Sequence, residues 1–440
     1  MNFERRTFIK GVAGIGVTAT ITGTASASDG DVQYIVRANG NGTRDAVADA
    51  GFSVRHELAD GSVLVVTGPA DAAADLESVG GVSAANPDVT VELDEPELDA
   101  EADSEDLPSD DAALSDLQWD KETTDVFEAH EYATGEGTRV AIVDTGIDSD
   151  HPDLENVNKE LGAAFVLNDN VPEIGSEDSG THGTHVAGTV GATGEAGVVG
   201  TAPDTELIPI RVFPAEGGAT FGDILAGIDY AAEIGADAAN FSLGIPGVQQ
   251  PGPEVNKLKA DVQKVFQSAV RRGTVITGSA GNDSGNLQQG GGFTLPNSVP
   301  AAFTVSATSP ADTLSFYSNF GTSDIDIAAP GGWYETIPRT LGEEGAGEPG
   351  DIPFPQNGVF STIPVDEGRY GYKSGTSMAA PQVAGLAALV RELEPNANAS
   401  QVEKAIQQGA EFANGKSSSE FGAGIINALN TVERLAKKNG

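Results

Sequence analysis

Apolar and polar residues follow two different rhythms along this chain, and the change between them divides it. Between residues 32 and 94 the runs are short and alternating. Val32-Gln33-Tyr34-Ile35-Val36, Ser53 to Glu57, Val63 to Val66 and Val89-Thr90-Val91-Glu92 predict strands, and Arg44 to Ala50 and Ala70 to Val79 predict short helices. The order β-α-β-β-α-β is a split βαβ arrangement, a small α+β ferredoxin-like unit. From about Leu117 the runs become wholly apolar and are separated by helical patterns. Strands are predicted at Val140 to Val143, Leu207 to Val212, Ala238 to Leu243, Thr274 to Ile276, Phe303 to Ser306 and Ile325 to Ala328. Helices are predicted at His182 to Val190, Gly222 to Ile234, Val255 to Arg271, Ser377 to Leu393, Ser400 to Gln408 and Ile425 to Lys437. Strands apolar on both faces, with helices between them, predict an α/β fold. Its sheet is mostly parallel and covered on both sides. Gly331 to Gly358, rich in Gly, Pro and Glu, reads as a long surface loop.

Two segments fall outside this rhythm. Residues 1–27 carry a charged start with paired Arg5-Arg6 and then Phe8. A short apolar run and Ala25-Ser26-Ala27 follow, which is the pattern of a twin-arginine export signal. No stretch is long and apolar enough to predict a membrane span. Glu92 to Asp111 holds eleven acidic residues in twenty and no basic one. Such a run cannot bury a core and predicts an extended, protease-accessible tether. The expected parts are therefore a signal (1–27), an α+β domain (28–94), an acidic linker (95–116) and a large α/β domain (117–440).

Composition narrows the chemistry. The chain has 66 acidic and 24 basic residues in 440, a formal charge of −42. A nucleic-acid partner needs a basic face and is excluded. An anionic membrane surface is disfavoured for the same reason. There is no Cys, so thiolate chemistry, disulfides and Cys-ligated metals are excluded. A strongly acidic surface with only eleven Lys suits molar salt, where the Debye length shrinks to about 3 Å.

Three motifs carry candidate chemistry. Asp144 ends the apolar strand of Ala141-Ile142-Val143-Asp144-Thr145-Gly146, at the edge where α/β sheets build sites. His182 opens His182-Gly183-Thr184-His185-Val186-Ala187-Gly188. Ser377, in Ser374-Gly375-Thr376-Ser377-Met378-Ala379-Ala380-Pro381, starts a long apolar helix whose dipole favours developing negative charge. Singly they read as a turn residue, a core histidine and an N-cap. Together they supply the orienting carboxylate, base and nucleophile of acyl transfer.

From about Leu117 to Lys437 these motifs resemble the subtilisin family of serine peptidases, in the family's order Asp, His, Ser. The acidity adds a likeness to its secreted, halophilic, halolysin-type members. The resemblance implies that Asp144, His182 and Ser377 are catalytic. It also implies that Asn282, in Ser279-Ala280-Gly281-Asn282, donates to the oxyanion. Ser242, Leu243 and Gly244 would line an extended polypeptide substrate, and Thr294 would stand at the base of the primary pocket. Residues 28–94 would be an inhibitory propeptide, with Val89 to Asp94 in the cleft and self-cleavage between about Glu95 and Leu117. No cofactor is expected for the chemistry. Asp153 matches a calcium ligand of the family, though its partner loop, Thr193 to Gly197, is shorter and lacks the family's asparagine; a structural calcium is left open. His182 and His185 lack the Glu of a zinc motif. A monomer is expected, with its own propeptide and polypeptides as partners. The competing readings are a non-catalytic peptide binder and a serine esterase, which would favour a G-x-S-x-G elbow.

Overall fold

A computed structural model describes residues 18–25, 31–40, 42–94, 100–101, 114–167, 177–215, 217–243, 245–248, 253–288, 293–295, 299–332, 355–411 and 417–439. In chain order the strands are β1 (Thr18–Thr24), β2 (Asp31–Ala38), β3 (Ser53–Leu58), β4 (Val63–Pro69), β5 (Val82–Pro87), β6 (Val89–Asp94), β7 (Ala100–Glu101), β8 (Arg139–Asp144), β9 (Ala163–Ala164) and β10 (Glu206–Arg211). They continue with β11 (Ala219–Thr220), β12 (Ala238–Phe241), β13 (Ile245–Val248), β14 (Val275–Ser279), β15 (Phe293–Leu295), β16 (Phe303–Thr308), β17 (Ile327–Pro330), β18 (Val359–Thr362) and β19 (Tyr370–Lys373). The helices are α1 (Thr43–Asp49), α2 (Ala73–Ser78), α3 (Trp119–Thr123), α4 (Val126–Ala129), α5 (His182–Gly191), α6 (Phe221–Glu233), α7 (Pro253–Arg272), α8 (Thr376–Leu393), α9 (Ala399–Gly409) and α10 (Ala428–Asn439).

The large domain is built on a seven-stranded sheet ordered β17-β16-β14-β12-β8-β10-β9, parallel throughout. Strand alternation sends its residues into two cores. Val140 and Ile142 join Val186, Met378, Val402 and Val432 on the face covered by α5, α8, α9 and α10. Ala141 and Val143 join Ile224, Leu225, Val265 and Phe266 on the face covered by α6 and α7. This is the layered α/β fold that the apolar runs predict. Among the described residues no helix is long and apolar enough to cross a membrane.

The N-terminal unit is a four-stranded antiparallel sheet ordered β3-β4-β2-β5 with two helices. One expected boundary moves. The fourth strand is Val82–Pro87, not Val89 to Glu92. Val82-Ser83-Ala84-Ala85-Asn86-Pro87 carries one large apolar residue, so its alternation is faint; its buried positions are the two alanines and Asn86. The segment after it, β6, leaves the unit and pairs antiparallel with β1, which lies within the expected signal, and with β11 of the large domain. The unit seats on α6 and α7. Ile35, Val63 and Val65 enter the core shared with those helices. Around them stand the ion pairs Arg37–Asp261 at 2.6 Å, Arg55–Asp223 at 2.7 Å and Arg272–Asp60 at 2.9 Å.

Of the acidic linker, Glu95–Asp99 and residues 102–113 lie outside the described residues, as do residues 1–17 of the expected signal. Ala100–Glu101 forms β7, paired antiparallel with β19. Leu114 is buried with Phe360, Tyr370 and Tyr372, and its N–H donates to the Gly197 carbonyl. The large domain's packing thus begins three residues before Leu117. The expected loop at Gly331 to Gly358 is described only at its ends, and the β18–β19 hairpin follows it.

Candidate active site

Asp144, His182 and Ser377 come from three elements that meet at the carboxyl edge of the parallel sheet. Asp144 is the last residue of β8, His182 the first of α5, and Ser377 lies in the first turn of α8. All three are buried, Asp144 and His182 fully. His182 Nδ1 lies 2.8 Å from Asp144 Oδ1, and that oxygen also accepts the Thr145 N–H at 2.7 Å. A carboxylate only accepts, so Nδ1 carries the imidazole proton and Nε2 keeps its lone pair. This is the tautomer a general base requires.

Close packing fixes the histidine. A Cβ on Gly183 would lie 2.0 Å from the Gly146 carbonyl oxygen, so only glycine lets α5 meet the turn after Asp144. On the same helix, Gly188 faces β18, where Ser361 and Thr362 hydroxyls donate to the His185 and Thr184 carbonyls at 3.0 and 2.7 Å. Asp178 ties the two halves together. Its carboxylate accepts the Thr145 hydroxyl (2.6 Å), the Thr184 hydroxyl (2.5 Å), the Thr184 N–H (2.8 Å) and the Gly180 N–H (3.0 Å). Burial pushes the Asp178 carboxyl up from its ordinary range, and these four donors oppose that. Sequence reading passed over Asp178; an acidic residue four places before the histidine was its one visible signal.

The serine is positioned by a defect in its own helix. Pro381 has no N–H, so the Ser377 carbonyl lacks its usual i+4 donor. The Ser242 hydroxyl supplies one, donating to the Ser377 carbonyl at 2.8 Å, while Asn240 Nδ2 donates to that hydroxyl at 2.8 Å. The Ser377 hydroxyl in turn donates to the Ser242 carbonyl at 3.0 Å. Before it, Gly375 has φ 152° and ψ 163°, a conformation open only to glycine. Asn282 is 5% exposed beside this turn. Its Oδ1 accepts both the N–H (2.9 Å) and the hydroxyl (2.8 Å) of Thr376. With the oxygen so occupied, the Nδ2 end is presented as a donor beside the nucleophile.

The expected substrate strand is placed in part. Ser242 and Leu243 follow β12 and both are buried, Leu243 in the core shared with α6 and α7. Gly244 and the Thr294 side chain lie outside the described residues.

The expected calcium ligand is otherwise engaged. Asp153 Oδ1 accepts the N–H groups of Ala196 (2.6 Å) and Gly197 (3.2 Å); Oδ2 accepts the Val198 N–H (3.1 Å) and the Tyr370 hydroxyl (2.8 Å). Calcium needs six to eight oxygen ligands. Here the short loop turns four donors onto the carboxylate, which holds Asp153 as a hydrogen-bonded anchor of that loop. Among the described residues no group of three or more His, Asp or Glu could hold a metal ion. His185 Nε2 lies 3.0 Å from the Val359 carbonyl.

Comparison with known proteins places the chain in a family. The family model described as "Subtilase family" matches residues 135–424. Thermitase of Thermoactinomyces vulgaris is 32% identical over 328 residues, covering 73% of this chain and 98% of that one. Subtilisin of Bacillus pumilus is 34% identical, covering 67% and 90%. An extracellular protease of Xanthomonas campestris is 33% identical over 418 residues, 86% of this chain and 65% of that one. Among solved structures, the epidermin leader peptide processing serine protease of Staphylococcus aureus superposes with a TM-score of 0.74 at 23% identity. The match covers 92% of this chain and 98% of that chain, a likeness of fold.

Proposed function

The chain belongs to the subtilase family of serine peptidases, and on that premise we propose a secreted endopeptidase that works through Asp144, His182 and Ser377. The observation that carries the residue assignment is the buried His182–Asp144 pair at 2.8 Å, which sets the imidazole as a base at the same sheet edge as Ser377. Ser377 attacks the scissile carbonyl, and His182 takes its proton and later delivers it to the leaving amine. Asp144 stabilises the imidazolium between those steps. Asn282 and the Ser377 N–H stabilise the tetrahedral oxyanion and the acyl-enzyme's return through it. The rate falls as the His182 imidazole protonates, giving an acidic limb.

We further read the chain as a self-processing zymogen. Support comes from β6, which lies along Ala219–Thr220 of the large domain, and from β7 of the same chain, which lies along β19. Cleavage between about Glu95 and Leu117 separates the N-terminal domain. The Arg pair and small-residue site support export by the twin-arginine route, and the charge of −42 supports a halophilic setting. Labelling of folded, processed protein by a fluorophosphonate at Ser377 tests the enzyme assignment; an unlabelled protein overturns it. Casein cleaved in preference to a short-chain ester separates the peptidase from an esterase. A purified Ser377→Ala chain that still sheds its N-terminal domain overturns self-processing.

A further inference from the structure

β1 (Thr18–Thr24) belongs to the segment read as an export signal, just before Ala25-Ser26-Ala27, yet it is part of the fold. It pairs antiparallel with β6, from Thr18 opposite Asp94 to Thr24 opposite Val89, with one register shift between Ile21 and Gly23. Ala25, which follows it, is fully buried. The Ala25 N–H donates to the Asp88 carbonyl at 3.1 Å, and its own carbonyl accepts the Gln33 N–H at 2.9 Å. The segment is thereby fastened beside the start of β6 and to β2.

A strand has two edges for main-chain pairing. β6 is the middle strand of the order β1-β6-β11, so β11 takes one edge and β1 the other. The first edge is closely seated: a Cβ on Gly218 would lie 2.5 Å from the Val91 carbonyl oxygen. β1 also lies against β13, which follows Leu243. Among the described residues β6 pairs with these two strands alone. A polypeptide held for cutting adds as a strand to the Ser242–Leu243 backbone on the reading above. With β1 along its second edge, β6 has no edge left for that addition. The Ser242 carbonyl accepts the Ser377 hydroxyl at 3.0 Å, so the nucleophile's proton rests on the stretch a guest chain would pair with.

We propose that Thr18–Thr24 is an autoinhibitory strand, which withholds β6 from the Ser242–Leu243 backbone until the export signal is cut away. This rests on the export and self-processing readings above and sets their order. Signal cleavage after Ala25 removes β1 and frees the second edge of β6. β6 then adds to Ser242–Leu243, and the linker that follows it is drawn past Ser377. Both cuts are hydrolyses: each breaks one C–N bond, and one water supplies the hydroxyl of the new carboxyl and a hydrogen of the new amine. A chain that folds with its signal attached is thus held uncut by that signal.

The test follows shedding of the N-terminal domain in the full chain, in the full chain carrying Thr20→Pro or Ile21→Pro, and in a chain starting at Ser28, as export leaves it. Alternate residues of an antiparallel strand face the partner, so one of the two prolines removes an N–H that points at β6. The full chain is expected to shed its domain about tenfold more slowly than the Ser28 chain, and that proline to close most of the gap. In the uncut Ser377→Ala chain, the same proline should lower hydrogen-exchange protection of the Val89–Asp94 amides and leave β2 to β5 protected. Equal shedding by the full chain and the Ser28 chain overturns the proposal, as do prolines that change neither rate nor protection. Should the proline chains fail to fold, the full chain against the Ser28 chain decides. An exported protein that keeps Thr18–Thr24 also overturns it. If no chain sheds its domain, the self-processing reading falls and this one with it; shedding at one common rate overturns this one alone.

Discussion

Asn282 shows how much of the site depends on one side chain facing one way. Thr376 holds its oxygen with two hydrogen bonds, so the amide cannot turn over without leaving both donors unpaired. Asn282→Ala should lower kcat by about 10²–10³ while KM moves only a few-fold, because the donor acts on charge that appears in the transition state. Steady-state kinetics on a peptide substrate checks this. Asp144, His182, Ser377 and Asn282 were legible because each sits in a run of small residues with a distinctive neighbour pattern. Ser242's second role was not legible. Its hydroxyl repairs a gap that Pro381 opens in α8, 139 residues further along the chain, and only tertiary structure pairs a proline with the carbonyl it orphans.

At the scale of elements, the apolar runs announced the parallel strands well, because a strand buried on both faces has little choice of residue. They announced β5 poorly, because two alanines and an asparagine fill its buried positions. The loop around Asp153 was the least legible element, since its donors are backbone N–H groups that carry no side-chain signature. Its consequence is measurable. Asp153→Ala should destabilise the large domain by at least about 3 kcal/mol, by orphaning three N–H groups and the Tyr370 hydroxyl. The loss should be the same with calcium and with chelator; a loss seen only with calcium would place a metal at this loop. On α9, burial first and the charge of Asp326 second push the Glu403 carboxyl up to about 7. Asp326 itself is pushed up to about 6 by burial. Raised acids favour the folded state only while protonated, so this stability is fully present below about pH 4 and is lost as pH rises through about 6 to 7. Glu403→Gln should therefore raise the melting temperature at pH 8 by about 1–3 °C and leave it unchanged at pH 4.

Across the whole molecule, charge and docking pull in opposite directions. Eleven negative charges lie in Glu92 to Asp111, which leaves −31 on the rest. Loss of the linker therefore relieves only part of the self-repulsion. Melting temperature should fall steadily as salt is diluted towards 0.01 M, where the Debye length reaches about 30 Å. Unchanged melting in dilute buffer would remove the halophilic reading and leave the catalytic residues untouched. The N-terminal domain, by contrast, is held by Arg37–Asp261 and Arg55–Asp223, whose aspartates are buried and so escape most screening. Docking should outlast the salt that the surface needs. The two strands β6 and β7 add a last consequence, because the first pairs with β11 and the second with β19, the strand that leads into the nucleophile's helix. A second molecule would have to displace both to present its own linker. On the self-processing reading, maturation is a unimolecular event with a clock of its own. Its half-life should stay constant over about a hundredfold dilution, since tethering fixes the local concentration of the bond. A half-life that lengthens in proportion to dilution would mean that one molecule cuts another.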